Sequence, residues 1–422
     1  MPSTARTVGE LGLPVLDYAD PELRGERFHR VMRELAAQGW LAAAPFGYVV
    51  LDREAAAFFL RTRSATFPGR RLAELFGIEE GPLAEEMRRN ILHLDGEAHR
   101  RLRSLVNPTF TPRAADRWRP AMRRYLAELF EPLARAGRCE LVSALAKPYP
   151  SLIIATVMGA PLGDAPRLHA WSNAIQRQFD PHSLLHARVE IERAVAEFYE
   201  YAEGLLAERR TAPGEDLISE LLEAEELGER LSDVECVNLV LNVLIGGVDT
   251  TQSQLAHAVR LFAAHPDQWQ LLAEEPERAP AAVEEVLRFE PITPFTARIV
   301  VEELDHRGVT FPEGTVVMVS SFTANRDLGA GGGEPEAFDI TADRGRTRPL
   351  TFGAGIHRCL GASLARAELG EALAFLAPRM RGLELDGEPA FGTVSGIYGL
   401  EELPVRFTPT AGSLNPRPAM PM

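Results

Sequence analysis

The segment Phe352-Gly353-Ala354-Gly355-Ile356-His357-Arg358-Cys359-Leu360-Gly361 decides the reading of this chain. Two glycines ahead of the cysteine let the backbone turn sharply and leave amide N–H groups free to point at the sulfur. Ala362-Ser363-Leu364-Ala365-Arg366 then opens a helix, whose positive end falls near Cys359. Free N–H donors and a helix N-terminus both favour a thiolate. A thiolate held this way suits a soft iron ligand that pushes electron density toward bound oxygen. For an arbitrary cysteine the better reading is a glycine-rich turn around an inert thiol. Here the whole pattern FGxGxHxCxG is present, and chance agreement over ten residues is improbable.

Working outward, Ser232-Asp233-Val234-Glu235 fits a capping box, and an apolar helix follows until Pro266. That helix would run about 33 residues, roughly 50 Å at the usual rise, with apolar residues nearly all round, as in a buried helix. Its middle reads Gly246-Gly247-Val248-Asp249-Thr250-Thr251. Each glycine costs about 1 kcal/mol relative to alanine, and a buried acid beside two hydroxyls needs partners. A kink or tight helix crossing explains the glycines but not Asp249. A groove where a flat ligand and a small gas reach the backbone, with Asp249 and Thr250 relaying protons, explains both. The helix by itself does not choose.

The rest of the chain bounds the answer. With 422 residues, 45% of them hydrophobic and 25% charged, the composition is that of an ordinary globular protein. A net charge of −15 argues against a nucleic-acid binder. Lys147 is the only lysine, and with many Ala, Gly and Pro this points to a GC-rich bacterial genome. Cys139, Cys236 and Cys359 lie far apart with no CxxC pair, so zinc and iron–sulfur sites lack a local framework. No run of eighteen apolar residues occurs and the first thirty residues carry charges throughout, so neither a membrane span nor a signal peptide is expected. The cytoplasm is the expected location.

Length alone would suggest two or three domains, yet no linker or repeat divides residues 1–422, and a single domain is expected. It reads as mainly α with a minor β portion. Residues 1–30 look like an irregular arm, Val31–Gln38 a helix, Gly47–Leu51 a short β segment and Arg53–Leu60 another helix. Residues 64–92 read as a long connection, and Glu97 to about Gly228 as mostly helical. Strands return at Val309–Phe311 and Val316–Val319. Residues 410–422 read as a frayed tail.

The cysteine pattern resembles the haem-binding signature of the cytochromes P450, and the resemblance covers most of the chain. Gly246 to Thr250 resembles that family's (A/G)GxDT motif, and Glu285-Val286-Leu287-Arg288 its ExxR motif. Ala324-Asn325-Arg326-Asp327 matches the ANRD segment of bacterial members, Leu364-Ala365-Arg366 the helix after the cysteine, and His99 and Arg103 an HxxxR motif. Order and spacing agree as well.

The resemblance implies a cytochrome P450 fold, with haem b (iron protoporphyrin IX) between the long helix and the cysteine loop and Cys359 as axial ligand. Gly246, Gly247, Phe352, Gly353 and Gly361 would surround the cofactor, and His99, Arg103, Arg298 and His357 would hold its propionates. Asp249 and Thr250 would deliver protons. Glu285 and Arg288 would form a structural lock with a third arginine. The usual FDxxR spacing is broken, because Phe338-Asp339-Ile340-Thr341 is followed by Ala342; a two-residue insertion points to Arg344, with Arg346 in reserve.

The implied reaction is insertion of one oxygen atom from O2 into a small or medium-sized apolar substrate, typically as hydroxylation. Electrons would come from NAD(P)H through a reductase and a ferredoxin. Arg100 and Arg101 read first as a solvated basic face; with Arg103, Arg358 and Arg366 they could also form a basic patch on the thiolate side that would attract an acidic ferredoxin. Substrate contacts are expected from residues 66–92, Gln176–Leu185, Leu244, Val248, Ile292–Ala297 (Thr293 and Phe295 among them) and Val394–Tyr398 with Ile397. The competing readings are a peroxide-driven haem-thiolate enzyme, which would not need the Asp249–Thr250 pair, a haem sensor or carrier, and a cofactor-free helical scaffold.

Overall fold

The computed structural model describes residues 6–226, 231–327, 333–345 and 348–410. Arg346, the tail from residue 411 and the expected helix end near Gly228 lie outside the described residues.

The long apolar helix is the axis of the fold. Ser232 caps it: its Oγ accepts from the Glu235 N–H at 3.3 Å while Glu235 Oε2 accepts from the Ser232 N–H at 3.0 Å. The first half runs Asp233–Gly247, breaks at Val248 (ψ −71°) and resumes as Asp249–Ala264. By length and composition Asp233–Ala264 is apolar enough to cross a membrane, yet most of it is buried inside the protein. Asn238, Asp249, Gln254 and His257 are buried polar residues along it. Around it pack the helices Pro148–Met158, Ala165–Gln176, Arg188–Thr211, Ala279–Phe289 and Ala362–Leu376.

The main sheet has five strands in the order Leu41–Ala44, Gly47–Val50, Val316–Ser320, Phe295–Val300 and Ala65–Thr66. Gly47 permits the parallel pairing with Val316: its φ is +123°, and an added Cβ would stand 2.1 Å from the Val316 carbonyl oxygen. The antiparallel pairing that sets Arg298 opposite Val317 fixes where that arginine emerges.

Two expectations need correction. The first helix starts at Gly25 rather than Val31, and Arg6–Thr7 is a strand paired in parallel with Val309–Thr310, so the N-terminal arm is partly ordered. Residues 64–92 are not a bare connection: after Ala65–Thr66 they form the helices Gly69–Leu75 and Pro82–Arg89. Pro82 sits at a helix start, where its missing N–H costs nothing, and Leu83, Ala84 and Met87 supply a buried face.

Candidate active site

Gly353 (φ +66°) and Gly355 (φ +74°) make the turn before the cysteine; a Cβ on Gly355 would stand 2.5 Å from the Leu60 carbonyl oxygen. The Cys359 N–H donates to the Phe352 carbonyl at 2.8 Å, and the helix Ala362–Leu376 begins three residues on. Cys359 is accessible and forms part of the wall of a cavity of about 320 Å³. Surrounding atoms still desolvate the sulfur and push the thiol above its ordinary value, while the Gly361 N–H, Arg103, Arg358 and Arg366 pull it down. In the chain alone desolvation of the sulfur outweighs these donors. A metal ion reverses this balance, since a coordinating thiol is deprotonated outright.

The long helix contributes one face to the same cavity: Leu239, Asn242, Val243, Gly246, Gly247 and Thr250, at helical spacing. Leu244 and Val248 fall on the opposite side and are fully buried in the core, so neither meets the cavity as expected. Phe295 is also absent from the wall; its ring packs against Tyr18 and Phe28. Ile397 lies outside the wall, whereas Gln176 and Thr293 belong to it, together with Phe67, Ile91, Leu92, Phe110, Phe179 and Ile292.

The two glycines have different reasons. A Cβ on Gly247 would stand 2.3 Å from Ile154 Cδ1, so Gly247 serves helix packing. A Cβ on Gly246 would meet nothing within 4 Å, so Gly246 leaves open space in the cavity.

Thr250 and Asp249 diverge as well. Thr250 lines the cavity and its Oγ1 donates to the Gly246 carbonyl at 2.6 Å. The Asp249 carboxylate is buried and turned toward Ala165–Gln176, accepting from Ser172 Oγ at 2.6 Å and Asn173 Nδ2 at 3.4 Å, with His169 Nε2 at 3.9 Å. Burial pushes its pKa up, partly offset by Ser172 and His169. The structure brings Thr250 to the cavity and not Asp249.

At the cavity edge the donor set suits anionic carboxylates. His99 Nε2 and His357 Nδ1 are buried without hydrogen-bond partners among the described residues, their rings 4.7 Å apart. Burial, with His357 and Arg103 nearby, holds His99 down to about 4, and His357 Nε2 lies 3.2 Å from Asp95. Arg298 is buried, donates to the Ala297 carbonyl at 2.8 Å, and burial lowers its guanidinium to about 10. Arg103 donates to the Arg358 carbonyl at 2.6 Å. Phe352, Gly353 and Gly361 line the cavity too, and the Arg366 guanidinium stacks 4.5 Å over the Phe352 ring. Orphaned ring nitrogens, a buried guanidinium and the open space at Gly246 fit a flat cofactor with carboxylate arms.

Behind the loop, Glu285 accepts from Arg288 Nε and Nη2, both at 2.8 Å, and from Arg344 Nη2 at 2.7 Å. The Asp339 N–H joins at 2.9 Å, and Arg288 also donates to the Pro335 and Ala337 carbonyls. Sequence reasoning missed Glu368 and Gln254, which are buried, line the cavity, and leave Oε2 and Oε1 respectively without partners. The signal was there: Gly361, Leu364, Ala365, Glu368 and Leu369 lie at i, i+3, i+4, i+7 and i+8 and share one face.

The cytochrome P450 family model matches residues 48–377, and the luteothin monooxygenase of Streptomyces thioluteus is 35% identical over 94% of this chain and 96% of its own length. The chain belongs to the cytochrome P450 family. This P450 is also 36% identical to the mycinamicin IV hydroxylase/epoxidase of Micromonospora griseorubida, over 71% of the chain and 75% of that relative. The crystal structure of CalO2 superposes with a TM-score of 0.87 at 31% identity, over 94% of this chain and 100% of that one. The protein is accordingly a bacterial haem-thiolate monooxygenase, an oxidoreductase that uses O2, an organic substrate and redox partners.

Proposed function

We propose that this P450 works in the cytoplasm and inserts one oxygen atom from O2 into a small or medium-sized, largely apolar molecule, typically by hydroxylation. NAD(P)H is the electron source, through a ferredoxin reductase and a ferredoxin. The observation that carries the reading is that Cys359 shares one cavity with Gly246, Thr250 and a mostly apolar wall.

Haem b, bound through Cys359, supplies dioxygen activation and oxygen-atom transfer. The chain's residues do the rest. His99, Arg103, Arg298 and His357 hold the propionates, and Gly246 leaves room for the cofactor's face. The apolar wall excludes water and orients the substrate. Thr250 offers its hydroxyl to the cavity once released from the Gly246 carbonyl. Asp249 reaches the same proton path by rotating away from Ser172. The Glu285–Arg288–Arg344 cluster locks the segment leading to the cysteine loop.

The arginines of the thiolate side support ferredoxin docking less evenly than the sequence implied. Arg101 is paired with Glu235 and Arg366 with Glu284, which leaves Arg100, Arg103 and Arg358 as the main positive contribution. Such a patch on a chain of charge −15 still steers an acidic partner.

The test is a substrate-panel titration following the haem spin state, then turnover of the best binder with ferredoxin, reductase and NAD(P)H under isotopically labelled dioxygen. One labelled oxygen atom per product is expected. Equal turnover with hydrogen peroxide alone would favour the peroxide-driven reading instead.

A further inference from the structure

Seven carboxyl side chains are buried among the described residues: Glu86, Asp216, Asp249, Glu285, Glu290, Glu368 and Glu371. Four have an arginine nearby: Arg209 on Asp216, Arg288 and Arg344 on Glu285, Arg260 on Glu290, and Arg119 and Arg123 on Glu371; Asp249 has none among the described residues but accepts from Ser172 Oγ and Asn173 Nδ2. Glu368 belongs to the site already described. Glu86, on the helix Pro82–Arg89, has no cationic partner among the described side chains. A buried carboxyl without a counter-charge is costly unless something outside the chain supplies one.

The surroundings of Glu86 say what that would be. Its Oε1 accepts from Asn90 Nδ2 at 2.5 Å and its Oε2 is unpartnered. The Gln178 amide lies against it without completing a hydrogen bond of good geometry through either its nitrogen or its oxygen. Gln176 Oε1 and His93 Nε2 are unpartnered too. His93 Nδ1 faces the Met87 carbonyl at 2.8 Å, so that nitrogen carries the hydrogen and Nε2 is a bare acceptor. The His93 ring stacks on Phe67 (centroids 5.5 Å) and meets Phe179 edge-on (6.1 Å), and Phe67, Phe179 and Gln176 all line the cavity. Apart from Gln254 Oε1 and Glu368 Oε2 elsewhere on the cavity wall, four unpartnered acceptors gather on the Gln176 side, Glu86 Oε2, Gln176 Oε1, Gln178 Oε1 and His93 Nε2. Against them stands one unpartnered donor, Gln178 Nε2.

We propose that this wall is a subsite for a protonated amine on an otherwise apolar substrate, with Glu86 as counter-charge and Gln176 and Gln178 as further acceptors. The inference rests on reading the cavity as the substrate cavity. Gln176 belongs to the wall and meets the amine first; Glu86 is fully buried and does not line the cavity, so it acts through the low-dielectric interior, where attraction is strong. Burial holds the Glu86 carboxyl up to about 7, opposed by Asn90 and Gln178. The titratable groups facing this region are Glu85 and Arg89 on the same helix, paired with each other, Tyr199 on Arg188–Thr211, and His93. The long helix presents Asn238, uncharged and bonded to Tyr199.

The test compares two probes by calorimetry on the holoenzyme: a dimethylaminoalkylbenzene, and the hydrocarbon in which a CH group replaces the nitrogen. The tertiary amine stays protonated throughout, so the pH dependence reports Glu86. The amine is expected to bind about tenfold tighter than the hydrocarbon at about pH 8, with the advantage shrinking toward about pH 6 as Glu86 takes up its proton. Glu86→Gln should abolish the advantage while leaving hydrocarbon affinity unchanged. Equal affinities in the wild type, an advantage that ignores pH, or one that survives in Glu86→Gln would overturn the proposal. If Glu86→Gln does not fold, the wild-type pH series decides alone. Absence of a thiolate-type carbon monoxide band in the wild type would fail the monooxygenase reading instead, and calorimetry would still report on the amine.

Discussion

Thr250 and Asp249 are adjacent in sequence, yet one faces the cavity and the other faces Ser172. The hydroxyl thus faces the cavity, and the acid is held against Ala165–Gln176. Removing the hydroxyl alters none of Cys359, Arg298 and His357, the residues proposed to hold the cofactor. Thr250→Ala should therefore bind haem normally but lose several-fold in the share of electrons that reach product, the remainder leaving as hydrogen peroxide. Peroxide yield per NAD(P)H consumed is the measurement. Coupling equal to that of the wild type would remove Thr250 from the proton path.

At the scale of the element, the break at Val248 separates what was legible in the sequence from what was not. The cysteine loop and the Glu285–Arg288 pair were legible because each is a short run whose sequence spacing fixes its spatial spacing. Arg344 was reachable because the distance to the cysteine loop is kept even where the local spacing is not. Leu244 and Val248 were misplaced because nearness to Gly246 in sequence was taken for nearness in space. The cavity face instead runs through Leu239, Asn242 and Val243, at seven, four and three residues before Gly246. Phe295 was misplaced for the complementary reason: neighbours on a strand point to opposite faces, and Thr296, not Phe295, reaches the cavity. The turn of Asp249 toward His169, Ser172 and Asn173 had no local signal, since its partners lie some 80 residues away on another helix. The two glycines of this element give a paired test. Gly247→Ala drives a methyl into the fully buried Ile154 and should destabilise the protein by about 1–3 kcal/mol. In the haem-free protein Gly246→Ala meets no atom and should fold with stability unchanged or raised by up to about 1 kcal/mol. Urea midpoints of the two variants check this, and equal losses would mean that the helix crossing, not Gly247 alone, requires both.

For the whole molecule, the buried titratable groups divide into two sets with opposite effects as pH falls. Burial holds Glu86, Asp249 and Glu368 above their ordinary values. The folded chain therefore takes up these protons before the unfolded chain does, and acidification from about pH 7 to about pH 4.5 stabilises through them. Burial holds His93 down to about 4 and His257 down to about 3. Over the same range the unfolded chain gains protons that these imidazoles refuse, which destabilises. The two sets offset each other until the acids are protonated in both states. Below that point Glu285, Glu290 and Glu371 dominate: burial opposes their ionisation, but their cationic neighbours outweigh it and hold all three below the ordinary carboxylate range. Their stabilisation is present above the unfolded value and is lost as pH falls through the folded one. Urea midpoints should be nearly level from about pH 6.5 to about pH 4.5 and then drop steeply. Glu86→Gln makes the argument specific, because it removes one member of the first set. Relative to the wild type it should gain on the order of a few kcal/mol above about pH 7, where the wild type bears the cost of an uncompensated buried acid, and gain little near about pH 4.5. A difference between the two proteins that does not change with pH would mean that Glu86 titrates normally and that its isolation from cations has no energetic weight.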